Sequence, residues 1–234
     1  MTTTTAKSRW ARGARDGLPF LLVVLPFAML FGVVATEAGL NVAEVMGFSV
    51  LVIAGASQFA AVQMMTEDAP TLIVITAALA VNLRMAMYSA SLAPWLGAAP
   101  LWQRACIAYC NIDQTYAMSM VKFDDEPQMT VPERVAYFFG VVTPIFPLWF
   151  VCTYLGAVAG TAIPPGFALD FAVPITFLAI VAPMLKTLAH LVAALVSVVL
   201  ALALAGLPFN AGLLVAALAA MFAGAEVERR MGRS

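Results

Sequence analysis

Long apolar runs separated by short polar stretches make up most of the sequence. Each run has about the 20 residues that a helix needs to cross the hydrocarbon core of a bilayer. The runs are continuously apolar and do not alternate with polar residues, so they favour helices over the strands of a membrane barrel. We therefore predict an all-α integral membrane protein with eight transmembrane helices, at residues 18–38, 43–65, 70–96, 102–121, 134–160, 171–186, 188–206 and 209–225.

The polar residues divide the chain into three parts. Residues 1–17 form a basic leader, residues 18–225 a single transmembrane transporter domain, and residues 226–234 a basic tail. The apolar run after the leader is longer than the apolar core of a cleaved signal peptide, so we expect it to remain as the first span.

The basic residues set the predicted orientation. Of the 12 lysine and arginine residues, eight spans place all but Arg84 and Arg104 on the side of the amino terminus. Basic residues collect on the cytoplasmic side of membrane proteins, so we predict that both termini are cytoplasmic. Seven spans would move one terminus outside together with its basic residues, which makes eight the better number.

A short similarity links the two halves of the chain. Residues 31–35 (FGVVA) resemble residues 155–159 (LGAVA), and each copy precedes a turn and a further helix. Transporters are often built from repeats with broken helices near the middle of the membrane, so the chain fits two four-helix halves. Eight spans give both copies the same orientation, whereas one re-entrant segment between them would invert the second copy.

The composition excludes several classes of function. Hydrophobic residues make up 63% of the 234 residues and charged residues only 11%, with a mean hydropathy of +0.95. Soluble domains are closer to half apolar and a quarter charged. One histidine and three cysteines support neither a metal site nor a disulfide framework, so we predict no metal and no cofactor. The chain has no nucleotide-binding or metalloprotease motif, so we predict that it is not an enzyme.

Polar side chains occur deep within the second and third predicted spans. Polar and ionisable groups are costly inside a membrane and mark functional sites by default. We predict that five such residues bind the polar headgroup of a substrate: Gly55, Ser57, Gln58, Asn82 and Arg84. Glycine would let the second helix unwind and free its backbone groups, as broken transporter helices do. The alternative is that the small residues only allow close helix packing.

The fourth predicted span contains an acid that is able to pair with Arg84. Asp113 lies there, and we expect Asn111 and Tyr116 to add polar lining. Arginine keeps its charge and its planar fork suits a carboxylate, which would belong either to the substrate or to Asp113. We therefore assign Asp113 to proton coupling or to an ion pair with Arg84. Asp170, at the start of the sixth predicted span, is the second candidate for this role, with helix capping as the alternative.

Several of these segments resemble one family. Residues 54–60 (AGASQFA), 81–84 (VNLR) and 87–94 (MYSASLAP) are similar to the AzlC family of branched-chain amino-acid permeases. Residues 113–117 (DQTYA) and 169–172 (LDFA) also resemble its pattern. The family often has Asp-Glu where this chain has Asp113-Gln114, so a role of that glutamate does not transfer.

The resemblance implies a function and a partner. It implies a secondary transporter that exports branched-chain or similar hydrophobic amino acids across the bacterial inner membrane, driven by the proton gradient. It also implies a second, small membrane subunit of the AzlD type. Two other readings stay open at this point: a channel-like pore for small solutes, and a non-transporting membrane scaffold whose polar residues only hold helices together.

Overall fold

The computed structural model describes residues 6–162, 185, 187–207 and 211–232. Within these ranges the chain forms helices and their connections without a β-strand, which confirms the all-α prediction. The helices are α1 (Ala6–Gly17), a 3-10 turn (Leu18–Phe20), α2 (Leu21–Glu37), α3 (Val42–Leu51), α4 (Gly55–Thr66), α5 (Thr71–Leu96), α6 (Leu101–Tyr109), α7 (Asp113–Asp125), α8 (Val131–Thr161), α9 (Leu188–Ala203) and α10 (Ala211–Met231).

Three helical segments of the described residues have the length and apolar composition to cross a membrane. They are Ala6–Glu37, Thr71–Leu96 and Val131–Thr161. Val42–Leu51 and Leu188–Ala203 are apolar but shorter. Most of the sixth predicted span, including its first residues after Asp170, lies outside the described residues, and so does Asp170 itself.

The chain divides into two compact units. Unit 1 consists of Met1–Gln63 and Ala78–Ile163, and unit 2 of Met64–Ala77 and Pro164–Ser234. Within unit 2, helices α9 and α10 pack against each other. All candidate site residues that the structure describes belong to unit 1.

Helices α1 and α2 run side by side with α8 and in the same direction. Gly13 lies against Gly140, and Gly32 lies against Gly156. A Cβ atom at any of these positions would overlap the backbone of the other helix, so the small residues allow the helices to approach closely. Because the two contacts follow the same order along both segments, the helices are parallel.

The two similar segments of the sequence lie in this contact. Residues 31–35 belong to α2 and residues 155–159 to α8, and the two helices pack along each other. The structure thus gives them the same orientation. That they are copies of one repeat remains a prediction.

The basic leader is helical from Ala6 onward, and its side chains bind residues of α8 and of the segment after α7. Arg9 is 7% exposed and forms ion pairs with Glu126 and Glu133. Tyr137 of α8 donates a hydrogen bond to Asp16 Oδ2 at 2.8 Å. The amino-terminal ends of α1 and α8 and the carboxyl-terminal end of α7 therefore meet at one end of unit 1.

The structure corrects the boundaries of two predicted spans. The segment predicted at 43–65 is broken at residues 52–54, and the segment predicted at 102–121 is broken at residues 110–112. At the second break, the Thr115 hydroxyl accepts from the Ile112 amide at 2.9 Å and also contacts the Cys110 carbonyl. These bonds satisfy backbone groups that a broken helix leaves unpaired. The expectation of broken helices is thus confirmed, but neither segment is one continuous helix.

The first broken segment is a hairpin of helices. Phe48 of α3 and Phe59 of α4 both contact the ring of Phe31 in α2, with centroids 5.9 and 5.6 Å away. Gln58 Nε2 of α4 also lies 3.4 Å from Ser49 Oγ of α3. Helix α3 therefore runs back along α2, and α4 returns toward the end where α3 began.

The second broken segment is also a hairpin. Asn111, after α6, donates to Ser89 Oγ of α5 at 3.2 Å. Further along α7, the ring of Phe123 lies 6.1 Å from that of Trp95 near the end of α5. Helix α6 therefore runs back along α5, and α7 returns to the end where α6 began.

The two hairpins begin at opposite ends of unit 1 and meet at their tips. The first follows the carboxyl-terminal end of α2. The second follows the carboxyl-terminal end of α5. This end lies near the start of α8, since the Arg134 guanidinium is 4.7 Å from the Trp95 ring centroid. Since α2 and α8 are parallel, these ends are opposite. At the tips, the Tyr109 hydroxyl donates to the Val50 carbonyl at 2.6 Å.

Candidate functional site

An ion pair stands beside the tip of the second hairpin. Arg84 Nη2 lies 3.2 Å from Asp113 Oδ2. The Tyr88 hydroxyl donates to the other carboxylate oxygen of Asp113 at 2.9 Å. Arg84 and Tyr88 are four residues apart and so lie on one face of α5. Asp113 is the first residue of α7, where the positive end of the helix dipole favours a carboxylate.

Aromatic stacking fixes the position of the tyrosine. The rings of Tyr88 and Tyr116 are stacked, with centroids 4.1 Å apart and planes 8° from parallel. Tyr116 lies on α7 one turn after Asp113. Tyr116 therefore packs against Tyr88, a residue that the site prediction does not include, and its lining role stays a prediction.

The ion pair is partly accessible and incompletely hydrogen-bonded. The side chains of Arg84 and Asp113 are 34% and 42% exposed. Arg84 Nε and Asn82 Oδ1 are buried atoms that have no hydrogen-bond partner among the described residues. A buried polar atom without a partner is costly, so these atoms are suited to a ligand that supplies the missing bonds.

Asn111 has a similar unused acceptor. Its side chain donates to Ser89, but its Oδ1 atom is buried without a partner in the described part of the chain. Asn111 is 3% exposed. Asn111, whose lining role stays a prediction, thus lies two residues before Asp113 and contacts Ser89.

The polar residues of the first hairpin form a separate, fully buried cluster. The Ser49 hydroxyl accepts from Trp149 Nε1 at 2.9 Å, lies 3.4 Å from Gln58 Nε2, and lies 3.5 Å from the Thr153 hydroxyl. Ser49, Gln58 and Thr153 are 0% exposed. This arrangement cross-links α3 and α4 to α8.

The small residues at the first break have local structural roles. The Ser57 hydroxyl donates to the Ala54 carbonyl at 2.9 Å, within the first turn of α4. Gly55 lies against the ring of Phe27, where a Cβ atom would overlap the ring. Of the predicted headgroup residues, the structure therefore brings Arg84 together with Asp113. It places Gly55, Ser57 and Gln58 at the first break, where Ser57 bonds to Ala54 and Gln58 to Ser49.

A cleft between α5 and α6 extends from Ser89 and Asn111 toward the Trp95 end of unit 1. Its volume is about 170 Å³. Pockets for drug-sized ligands have roughly 300–1,000 Å³, so this one suits a smaller molecule. It is lined by Ser89, Leu92, Ala93, Leu96, Gly97, Arg104, Ile107, Ala108 and Asn111. No group of histidine, cysteine or acidic side chains suited to a metal ion occurs in the described ranges.

Sequence reasoning missed the hydroxyl groups of both clusters. Ser49, Ser89 and Tyr88 carry hydrogen bonds to the predicted residues. A signal existed for Tyr88, because it follows Arg84 by four residues and therefore lies on the same face of α5.

The fold and the site together define a helical membrane protein with broken helices around a charged pair. The AzlC protein family model matches residues 19–163, more than half of the chain, so the chain belongs to the AzlC family. The family and the relatives below make it a membrane protein of a transport family.

Two curated relatives are similar over most of their length. The inner membrane protein YgaZ of Escherichia coli K12 is 25% identical over 177 residues, which are 71% of this chain and 69% of YgaZ. An uncharacterized membrane protein of Archaeoglobus fulgidus is 29% identical over 190 residues, 80% of each chain. No solved structure matches this chain.

Proposed function

We propose that this protein is a secondary transporter that exports branched-chain or similar hydrophobic amino acids across the cytoplasmic membrane. The observation that carries the proposal is the Arg84–Asp113 pair, held at a break between helices, with atoms of Arg84, Asn82 and Asn111 that are buried without a partner among the described residues. Broken helices that present charged and polar groups are a common way for transporters to bind zwitterions.

The chemistry of the pair suits an amino acid. A substrate carboxylate binds Arg84, whose Nε atom is free of hydrogen bonds within the described residues. The substrate ammonium binds Asp113 and the unused Oδ1 atom of Asn111. The Arg84–Asp113 ion pair is thereby exchanged for two charge-assisted contacts to the ligand, which also supplies partners for the buried atoms that lack them.

The proposed proton coupling depends on Asp113, the acid of the ion pair. A proton on Asp113 removes its charge and weakens its hold on Arg84, while deprotonation restores the pair. We propose that this alternation couples export to the proton gradient. The proposal includes an AzlD-type small subunit, an inner-membrane location as in YgaZ, and cytoplasmic termini.

The test is efflux of labelled leucine, isoleucine, valine and methionine from cells with and without the protein and its small subunit. Arg84→Ala is expected to reduce export at least about tenfold, because a charged hydrogen bond contributes roughly 1.5–3 kcal/mol. Arg15→Ala, which removes an exposed arginine of α1, is the matched control. Unchanged export by Arg84→Ala at equal membrane abundance would overturn this site.

One observation favours a non-transporting scaffold as the second candidate. Arg84 already has an internal counter-ion, so the pair is able to hold α5 and α7 together without any ligand. A scaffold gives no substrate-dependent efflux and no ligand-induced thermal shift with or without the small subunit. A channel-like pore is distinguished by flux that neither saturates nor shows counterflow.

A further inference from the structure

The cleft between α5 and α6 has a polar inner end and a basic mouth, joined by apolar walls. The inner end is formed by Ser89 and Asn111. Leu92, Leu96 and Ile107 are 2%, 3% and 6% exposed and contribute to the walls. The mouth is at Arg104, next to the end of α5. Apolar walls with a few converging polar groups are typical of small-molecule sites.

Two independent features of the cleft indicate a ligand. Asn111 is 97% buried, by its 3% exposure, and its Oδ1 atom has no partner in the described ranges. At the other end, Arg104 is exposed and forms no ion pair with any described residue. A cation at the mouth and an unused acceptor at the inner end suit a molecule that carries both an anionic and a donor group.

The course of the second hairpin determines which side of the membrane the cleft faces. Helix α6 starts beside the end of α5, which lies near Arg134 of α8. The start of α8 in turn lies near Arg9 of α1. The mouth of the cleft is therefore on the same side as the amino terminus, and Arg104 joins the basic residues there, as the positive-inside rule requires.

The inner end of the cleft lies well inside the hydrocarbon layer. From Trp95 to Ser89 the helix runs six residues, or about 9 Å at 1.5 Å per residue, and Arg84 lies 11 residues or about 16 Å from Trp95, roughly half of a 30 Å core. The hairpin α6–α7 enters to this depth and returns, so it is re-entrant. The hairpin α3–α4 enters from the opposite side, and the tips meet at the Tyr109–Val50 hydrogen bond.

We propose that the α5–α6 cleft is the cytoplasmic half of the substrate path, a loading site that delivers a hydrophobic amino acid to the Arg84–Asp113 pair. This inference rests on the proposed export function. Arg104 attracts the carboxylate at the mouth, and the apolar walls receive the side chain. Asn111 and Ser89 then accept the ammonium beside Asp113.

Sidedness tests the topology. In a chain whose three cysteines are serine, Ala98→Cys and Glu67→Cys are treated with a membrane-impermeant thiol reagent, with Lys7→Cys as the reference. We expect Ala98→Cys to react from the side of Lys7→Cys and Glu67→Cys from the opposite side. Eight continuous spans give the reverse for both positions, and that result overturns the proposal. Protease sites inserted at 67–70 and 97–100 of the unaltered chain provide the same readout if the cysteine-free protein does not fold.

Ligand protection tests the site. In membrane vesicles that contain the chain and its small subunit, leucine is expected to slow modification of Ala108→Cys by N-ethylmaleimide several-fold. Native Cys106, two residues away and about 200° around α6, is the control whose rate stays unchanged. Protection by added phospholipid but not by leucine, or no protection while export persists, overturns the inference. Intact protection and sidedness without any export would instead remove only the transport function.

Discussion

The two hairpins of unit 1 use the same break between helices for different purposes. At the first, Ser49, Gln58 and Thr153 are 0% exposed and are bonded to one another or to α8, although Gln58 Oε1 has no partner among the described residues. At the second, Arg84 and Asp113 are 34% and 42% exposed, and neighbouring buried atoms have no partner in the part of the chain that the structure describes. Because unpaired buried atoms occur at both hairpins, accessibility is what sets the second one apart as a candidate site.

The largest effect is expected from the second hairpin. Asp113→Asn retains the shape of the side chain but removes its charge. Export should fall about tenfold or more, as for the loss of a charge-assisted bond, and the remaining flux should no longer depend on the proton gradient. Uptake into inverted vesicles with and without an imposed pH gradient measures both quantities. Gradient-driven export that persists in Asp113→Asn would move the coupling away from this residue.

The first hairpin should respond in stability and not in transport. Ser49→Ala leaves Trp149 Nε1 and Gln58 without their shared acceptor in a fully buried place. Unpaired buried groups cost about 1–3 kcal/mol each, so we expect a clear drop in the thermal stability of the purified protein. Ser8→Ala on the exposed face of α1 is the control. Loss of export from correctly folded Ser49→Ala protein would mean that both hairpins serve the site.

The sequence allowed the helical class and the charged pair to be predicted, but not the path of the chain. Arg84 and Asp113 were identifiable because charge in an apolar run is rare. The reversal of the chain at α4 and at α7 was not predictable, because a hydrophobic run indicates that a segment is buried but not whether it crosses the membrane or turns back. Asn111 and Asp113 interrupt the fourth run and are the one visible sign of its break. Serine is common in membrane helices, so its presence in the sequence did not identify Ser49 as a hydrogen-bonding residue of the first hairpin.

The junction of the tips should have a smaller effect than either cluster. Tyr109→Phe removes only the hydroxyl that donates to the Val50 carbonyl and leaves the ring against Phe146. A typical hydrogen bond contributes about 0.5–1.5 kcal/mol, so a modest decrease in thermal stability is expected. Phe150→Leu, a change in the ring cluster that leaves the bond intact, separates ring packing from the hydroxyl. Equal stability of Tyr109→Phe and the parent would indicate that the tips do not support each other.

The smallest effect concerns the base of the second hairpin, which is held by charges. Glu126 follows α7 and binds Lys122 at 2.6 Å, together with Arg9. The hydrogen bond from Lys122, followed by that from Arg9, lowers the pKa of Glu126 below its ordinary value of 4.5. A lowered pKa in the folded state stabilises the protein above pH 4.5 and loses this contribution as the pH falls through the folded-state pKa.

We therefore expect the thermal stability of the parent protein to fall in this acidic range, and the slope to be shallower in Glu126→Gln. The base of the first hairpin offers a contrast, because there Asn41 and Glu44 bond to each other's backbone amides and no described basic side chain pairs with Glu44. Glu44→Gln is accordingly the matched control, since an amide oxygen preserves the same bond. Parallel pH profiles for the parent protein and Glu126→Gln would show that the charges at Lys122 and Arg9 do not hold the second hairpin closed.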